Sequence, residues 1–276
     1  MRQQGTLILR LWKGLFNFYS AAVLLFLIVP VLVIVPLSFN ASSFLSYPLS
    51  GFSLRWYQTF FHSQEWLSAL GNSLIIAPLA TLLATVLGVL ASMGLVRGEF
   101  RGKGLVMAII ISPMVAPVVI IAVGMFFFFA RLSLLNSYLG LVLAHALLGV
   151  PFVVITVVAV LKSYDTNLSR AAASLGASPF LTFRKVTLPL IAPGVFSGAL
   201  FAFAASFDEV VVTLFLASPG QRTLPIQMFA GIRENLDPTI AAAASLMIGA
   251  SLILLIVMEI LRRRGEKCVS PRRPEQ

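Results

Sequence analysis

Residues 165–193 read DTNLSRAAASLGASPFLTFRKVTLPLIAP and form the longest patterned break in an otherwise apolar sequence. Within this segment, Leu168, Ala171, Ala172 and Leu175 follow the i, i+3, i+4, i+7 spacing that places side chains on one face of a helix. The face is narrow and rich in alanine. The pattern therefore predicts a short helix with a small apolar surface.

The same segment carries signals for helix ends. Asp165 or Thr166 can cap the start of the helix, and Gly176 lies where a left-handed C-terminal cap is expected. Ser178 and Pro179 then fit a cap and a first-turn proline of a second short helix. The segment is therefore predicted to form a helix–turn–helix. A hairpin of this kind between apolar segments calls for a functional explanation.

The composition indicates a polytopic, all-α membrane protein. Of 276 residues, 59% are hydrophobic and only 11% are charged, whereas soluble domains carry about 25% charged residues. The formal net charge of +10 is attributed to basic residues in the loops on one side of the membrane, rather than to a nucleic-acid-binding surface. The single cysteine, Cys268, excludes a disulfide framework within one chain and suggests no metal cluster.

Six transmembrane helices are predicted from the uncharged runs, since a helical span needs about 20 apolar residues. The first is interpreted as a retained span rather than a cleaved signal peptide. The predicted spans are residues 15–39, 66–96, 105–130, 138–161, 193–217 and 239–261. They leave an N-terminal segment at 1–14, a loop at 163–192 and a basic tail at 262–276, whose end is expected to be disordered. Pro113, Pro117 and Pro151 are expected to kink their spans.

The distribution of basic residues predicts the orientation of these spans. Sixteen of the 20 Lys and Arg residues fall on the side of the N-terminus. Cytoplasmic loops carry such an excess, so both termini and the hairpin are predicted to be cytoplasmic. The hairpin could lie on the lipid surface, but its apolar face lacks the large side chains of an interfacial anchor. Docking into a groove of another protein is favoured.

Two motifs at fixed spacing then identify a resemblance. Arg170, Ala171 and Ala172 are followed after three residues by Gly176, and nine residues later by the motif Val186–Pro189. This resembles the EAA loop of ABC-importer inner-membrane permeases, whose pattern is Glu-Ala-Ala, three residues, Gly, nine residues, Ile-x-Leu-Pro. Arg170 stands where the family usually has glutamate, which removes any salt bridge that a glutamate would make to the partner.

The resemblance implies a type I importer permease fold with a cytoplasmic coupling helix at about Thr166–Leu175. In that family the helix fits a groove on a dimer of ATP-hydrolysing subunits, so the chain itself would be no enzyme and would bind no cofactor. A second permease subunit, a periplasmic substrate-binding protein and surrounding membrane lipid are the other implied partners, in a bacterial inner membrane. The residues matched to the coupling loop are Ala171, Ala172, Leu175, Gly176, Leu188 and Pro189.

Asp208 and Glu209 are the candidate residues of a translocation path. If the fifth span starts near Pro193, Asp208 lies roughly 22 Å along the helix, within the bilayer. Ionisable residues there are costly and normally face a water-filled path or a partner. The pair could bind a basic residue of the second permease, or it could line the path and favour a cationic substrate. On a helix the two would point about 100° apart, so one can face the path and the other the interface.

The region around this pair resembles the spermidine/putrescine permeases, specifically the second of their two permease types. The residues that carry the resemblance are Phe207–Val212, Ser218–Gly220, Thr223–Pro225 and Asn235–Pro238. Polyamines are polycations, which agrees with the acidic pair. Permeases for ferric iron, phosphonate or sulfate share the architecture and remain alternatives.

Other features of the sequence receive simpler interpretations. His145 is expected to be a hydrogen-bonded packing residue, and Trp56, Tyr57 and Trp66 are expected in an outer interfacial belt, with docking of a binding protein as the alternative. A stand-alone secondary transporter is the competing function, although no internal repeat is detectable. No Walker A pattern occurs in the sequence.

Overall fold

The computed structural model describes residues 2–234 and 238–269, and this part of the chain is helical, with one isolated bridge between Asn40 and Phe52. The α-helices are α1 (Arg2–Leu37), α2 (Arg55–His62), α3 (Gln64–Arg97), α4 (Lys103–Val115), α5 (Val118–Arg131), α6 (Tyr138–Lys162), α7 (Thr166–Ser174), α8 (Pro179–Thr182), α9 (Leu188–Phe207), α10 (Val211–Leu216), α11 (Leu224–Glu234) and α12 (Thr239–Val269). The predicted all-α fold is confirmed.

Within the described residues, five helical stretches are long and apolar enough to cross a membrane, and a sixth is added if α4 and α5 form one span. This agrees with the six predicted spans. α4 and α5 meet at 107°, so the expected kink in the third span is a full break. Pro117 explains the break, because a residue before proline is pushed into extended backbone, and Ala116 has φ −72° and ψ 144°.

The chain forms two compact units, Met1–Ser63 with Gly231–Ile248, and Gln64–Ala230 with Gly249–Gln276. In the second unit, α3, α6 and α9 pack through small residues. A Cβ on Gly149 of α6 would meet the Cβ atoms of Ala84 and Ala202 at 3.1 Å. Small residues allow membrane helices to approach closely. α6 is therefore held between α3 and α9 at this level.

In the first unit, Asn40 organises the segment that follows α1. Its Oδ1 accepts hydrogen bonds from the backbone N–H and the hydroxyl of Ser50, at 3.1 and 3.0 Å. Its carbonyl accepts the indole N–H of Trp56 at 2.8 Å. Trp56 is only 6% exposed and Trp66, in the other unit, 7%. The predicted interfacial belt is therefore wrong for these two tryptophans, because both are buried in protein.

The fifth span differs from the prediction at both ends. The helical stretch Pro179–Phe207 begins well before Pro193, which lies inside α9. It ends at Phe207, and α10 begins only at Val211 after a break. Residues 193–217 are therefore not one helix. The sixth predicted span also continues, as α12, to Val269, and the expected disordered end falls on residues 270–276, outside the described residues.

Candidate functional site

The predicted helix–turn–helix is present as α7 and α8. At the start of α7, the Asp165 carboxylate accepts the backbone N–H of Asn167 at 2.9 Å. At the start of α8, the Ser178 hydroxyl accepts the N–H of Leu181 at 3.3 Å, with Pro179 in the first turn. Each cap satisfies a backbone donor that a helix start leaves unpaired. The polar residues of the loop therefore define the hairpin.

Gly176 ends α7 in a Schellman motif. The N–H of Gly176 donates to the Ala173 carbonyl at 2.9 Å, and the N–H of Ala177 donates to the Ala172 carbonyl at 3.0 Å. Gly176 has φ +82°, a left-handed conformation that glycine adopts without steric cost. Among the residues that the structure describes, no atom lies within 4 Å of the position that its Cβ would take. Backbone geometry, rather than crowding, requires glycine at this turn.

The tip of the hairpin presents large apolar side chains to its surroundings. Leu175 is 88% exposed and Phe180 is 71% exposed. No residue of α7 is buried; Ala171 is exposed and Ala172 half-buried. Large exposed apolar side chains outside a membrane span suit contact with another protein. The predicted docking residues on the hairpin are therefore accessible to a partner.

Leu188 and Pro189, the other two matched residues, form the first turn of α9 rather than part of the tip. A π-helical turn, Phe183–Thr187, joins α8 to α9. Proline has no N–H to donate to the carbonyl four residues earlier, and such wide turns occur where the regular bonding ladder is interrupted. The hairpin thus continues without a loop into a stretch of 29 residues ending at Phe207.

Arg97 anchors the base of the hairpin, a role that the sequence did not reveal. Its Nη2 donates to the hydroxyl of Thr187 at 2.8 Å. Its guanidinium lies 5.8 Å from the ring centre of Tyr164, whose hydroxyl is 2.6 Å from that of Ser169 in α7. In the sequence, Arg97 is only one of the basic residues that predict the orientation of the membrane spans. No local pattern connects residues that lie 90 positions apart.

Asp208 and Glu209 occupy the break between α9 and α10. Asp208 ends α9 with φ −99° and ψ 4°, and its side chain is exposed. Glu209 is half-buried, and its Oε1 accepts the N–H of Val212 at 2.8 Å. Because neither residue lies within a helix, the expected 100° separation does not apply. Glu209 caps α10, whereas the carboxylate of Asp208 is available to solvent or to a partner.

The cap formed by Glu209 leads to a stability prediction. Replacing Glu209 with alanine leaves the N–H of Val212 without this acceptor, and losing such a cap costs about 0.5–2 kcal/mol. We expect a lower midpoint of thermal unfolding for Glu209→Ala in detergent. Glu209→Gln keeps an acceptor oxygen and should lose less. Equal midpoints for the alanine variant and the parent would contradict the capping role.

His145 of α6 links the two sides of the same break. Its Nδ1 lies 2.8 Å from the Ser206 hydroxyl at the end of α9, and its Nε2 lies 2.8 Å from the Thr213 hydroxyl in α10. The side chain is 1% exposed. The prediction of a hydrogen-bonded packing residue is confirmed. Its two partners lie 61 and 68 positions away, and no local pattern in the sequence indicates them.

The segment after α10, which carried part of the second resemblance, is held against α3. Ser218 and Gln221 close a capping box around the 3₁₀ turn Pro219–Gln221. The amide of Asn72 donates to the carbonyls of Gly220 and Arg222 at 3.1 and 2.9 Å. This side of the molecule is therefore ordered by polar contacts. The motif Asn235–Pro238 falls largely outside the described residues.

Among the described residues, no three His, Cys, Asp or Glu side chains converge as metal ligands.

The exposed tip of the hairpin and the exposed carboxylate of Asp208 lie at opposite ends of one helical stretch. At 1.5 Å per residue, 29 residues span about 43 Å, which exceeds the hydrocarbon thickness of a bilayer. The arrangement can connect an event at one membrane surface to a site near the other.

Comparisons with known proteins give a consistent result. Residues 84–267 match the profile of the binding-protein-dependent transport system inner membrane component. The spermidine/putrescine transport system permease protein PotC of Escherichia coli K12 is 32% identical over 249 residues, covering 90% of this chain and 94% of PotC. The putrescine transport system permease protein PotI of the same strain is 35% identical, covering 88% of each chain.

A solved structure shows the same fold. A chain from a bacterial ABC transporter that imports the acidic polysaccharide alginate matches with a TM-score of 0.69, over 92% of this chain and 96% of the other. Their sequences are 16% identical. At this identity, the similarity shows a shared fold alone.

Proposed function

The chain belongs to the inner membrane components of binding-protein-dependent transport systems, and on this premise we propose that it forms half of a translocation path and couples that path to ATP hydrolysis by a partner. The family is a transport component and not an enzyme, and the chain is a multi-pass permease of an ABC importer. Within such a system, the α7–α8 hairpin is the coupling element.

The observation that carries this proposal is the hairpin tip. Leu175 ends α7 and Phe180 lies in the first turn of α8, and both are exposed apolar side chains on a hairpin whose helix starts are capped. A helix with such a face suits a groove on another protein. The continuous stretch from Pro179 to Phe207 supports transmission from this tip into the membrane. The partner at the tip is an ABC ATPase dimer, to which ATP binds, so the permease needs no cofactor.

The remaining partners and the orientation follow from the same premise. A second permease subunit completes the path, and a periplasmic binding protein delivers the substrate. The distribution of basic residues supports a cytoplasmic location for both termini and for the hairpin. A protein that works with these partners does not act as a stand-alone secondary transporter.

The proposed substrate is a polyamine of the spermidine/putrescine class. The named functions of PotC and PotI support it, as does the exposed Asp208 carboxylate at the break in the fifth span. An exposed acid in a low-dielectric path attracts cations and repels anions, which disfavours phosphonate and sulfate. Ferric iron is the cationic alternative, and uptake assays with both substrates separate the two.

Assembly with the ATPase tests the coupling proposal. We expect the double substitution Leu175→Asp and Phe180→Asp to reduce the ATPase that co-purifies with the tagged permease by at least about tenfold, since unpaired charges buried in an apolar interface cost several kcal/mol and each 1.4 kcal/mol is tenfold. The purification uses mild detergent and the ATPase of the same transport system.

A matched control is available in the first unit. Phe44 is 74% exposed but lies in the segment after α1, on the opposite side of the membrane in the predicted topology. Phe44→Asp should leave ATPase recovery unchanged. Undiminished recovery with the double variant would contradict docking at the hairpin tip. Uptake by the permease alone in liposomes would contradict the importer mechanism itself.

A further inference from the structure

We propose that His145 is a positioning residue that clamps both sides of the break in the fifth span and thereby fixes the direction in which the Asp208 carboxylate projects. The inference rests on the proposed function, in which Asp208 contacts a cationic substrate. It adds a residue of α6 that is 1% exposed and that acts through Ser206 and Thr213.

The break itself provides few constraints on Asp208. Its N–H donates to the Ala204 carbonyl at 3.1 Å, and the N–H of Glu209 reaches the Ser206 carbonyl at 3.4 Å. The Thr213 hydroxyl reaches the Glu209 carbonyl at 3.4 Å. The last two distances lie beyond the usual range for protein hydrogen bonds. Asp208 is thus held to α9 by one bond of normal length, and Glu209 is held to α10 by the 2.8 Å bond from the Val212 N–H. The bond that links α9 to Glu209 across the break is long.

The contacts of His145 are shorter than the 3.4 Å bond between Glu209 and Ser206, and they come from a residue outside the break. Both ring nitrogens lie 2.8 Å from a hydroxyl, one on α9 and one on α10. A neutral imidazole has one donor and one acceptor, and a hydroxyl can serve as either. Both bonds are therefore satisfied in either tautomer. Removing the ring would leave two buried hydroxyls without these partners, because Ser206 is 6% exposed and Thr213 is fully buried.

α6 gives His145 a fixed position from which to act. Its neighbours Ala144 and Ala146 are 0% and 2% exposed. One turn further along the helix, Gly149 lies in close contact with both α3 and α9. Since α6 cannot shift easily against α9, the histidine ring is a rigid link. The ends of α9 and α10 are consequently held at a set separation, and Asp208 lies between them.

Side-chain mobility at position 208 tests the clamp directly. A nitroxide spin label is attached to Asp208→Cys in a Cys268→Ser background, in the assembled transporter in lipid. We expect His145→Phe, which keeps the ring volume, to shorten the rotational correlation time of the label by about twofold or more. Ser206→Ala and Thr213→Val each remove one of the two bonds and should have smaller effects in the same direction.

Two controls separate local positioning from general loosening of the fold. A label at Phe44→Cys, an exposed position in the segment after α1, should be unaffected by His145→Phe. Thr81→Val removes a hydroxyl that bonds only to the Ala77 carbonyl of its own helix, and it should not change the label at position 208. An unchanged label at 208 in all three clamp variants, or equal changes at 208 and 44, would overturn the proposal.

Uptake of putrescine by the complete transporter links the clamp to function. We expect His145→Phe to lower the uptake rate about fivefold, and to lower it no further in an Asp208→Asn background, since residues acting through one group are not additive. Two results would contradict the inference when Asp208→Asn lowers uptake. Either His145→Phe alone leaves uptake unchanged, or the double variant loses uptake by the product of the two single losses. If Asp208→Asn itself leaves uptake unchanged, the proposed path is wrong.

Discussion

Replacing Gly176 with valine is expected to lower uptake by the complete transporter by at least about tenfold while the protein still inserts and accumulates in the membrane. Gly176 has φ +82°, where a β-branched residue is a steric outlier, at a cost of about 1–3 kcal/mol. The chain can avoid this strain by opening the turn, which moves Leu175 relative to Phe180 and disrupts the coupling surface. Uptake and ATP hydrolysis are measured together in proteoliposomes.

The sequence contains a matched control for this experiment. Gly102 has φ +93° and, like Gly176, has no atom within 4 Å of its would-be Cβ. Gly102→Val therefore imposes a similar backbone strain outside the hairpin and should preserve uptake per transporter. Gly176→Asn should also retain much of it, because asparagine tolerates the left-handed conformation. Normal uptake by Gly176→Val, or an equal loss with Gly102→Val, would contradict the coupling role.

Asp208→Asn is expected to reduce uptake of a polyamine by about tenfold, equivalent to about 1.4 kcal/mol, while subunit assembly stays intact. The change removes one negative charge and keeps the shape of the side chain. A unit charge pair at 4 Å is worth about 1 kcal/mol in water and about 4 kcal/mol in a partly desolvated site, so a tenfold loss lies within this range. Uptake rates are measured at saturating substrate-loaded binding protein.

Asp208→Glu retains the charge and should retain most of the uptake. Recovery of the second permease and the ATPase in the purified complex reports on assembly. If Asp208→Asn reduced assembly and uptake to the same extent, the carboxylate would instead serve the contact between subunits. A larger loss for tricationic spermidine than for dicationic putrescine would support direct contact between the carboxylate and the substrate.

The hairpin and most spans could be predicted from the sequence because their determinants are local. Asp165, Gly176 and Ser178 each act on backbone groups within a few residues. Long apolar runs likewise identify α3 and α6, whose predicted bounds differ from the observed ones by at most two residues. The loop that resembles the EAA motif combines several such signals at fixed spacing, so its helix–turn–helix geometry followed from them.

Features that depend on contacts between distant residues could not be predicted. Nothing near Arg97 indicates that it binds Thr187, and nothing near His145 indicates Ser206 or Thr213. The break after Phe207 lies in an apolar run that reads as one continuous helix. It forms where the Glu209 side chain captures the N–H of Val212. The burial of Trp56 likewise depends on the carbonyl of Asn40, whereas composition alone suggested the membrane interface.

The exposed tip of the hairpin also bears on how the cell manages this protein. A newly inserted permease without its ATPase displays Leu175 and Phe180 to the surrounding solution, and exposed apolar groups of this kind are what chaperones and proteases recognise. An orphan subunit should therefore turn over faster than an assembled one. If the proposed docking at this tip conceals these apolar groups, the same surface also sets the stoichiometry of the complex.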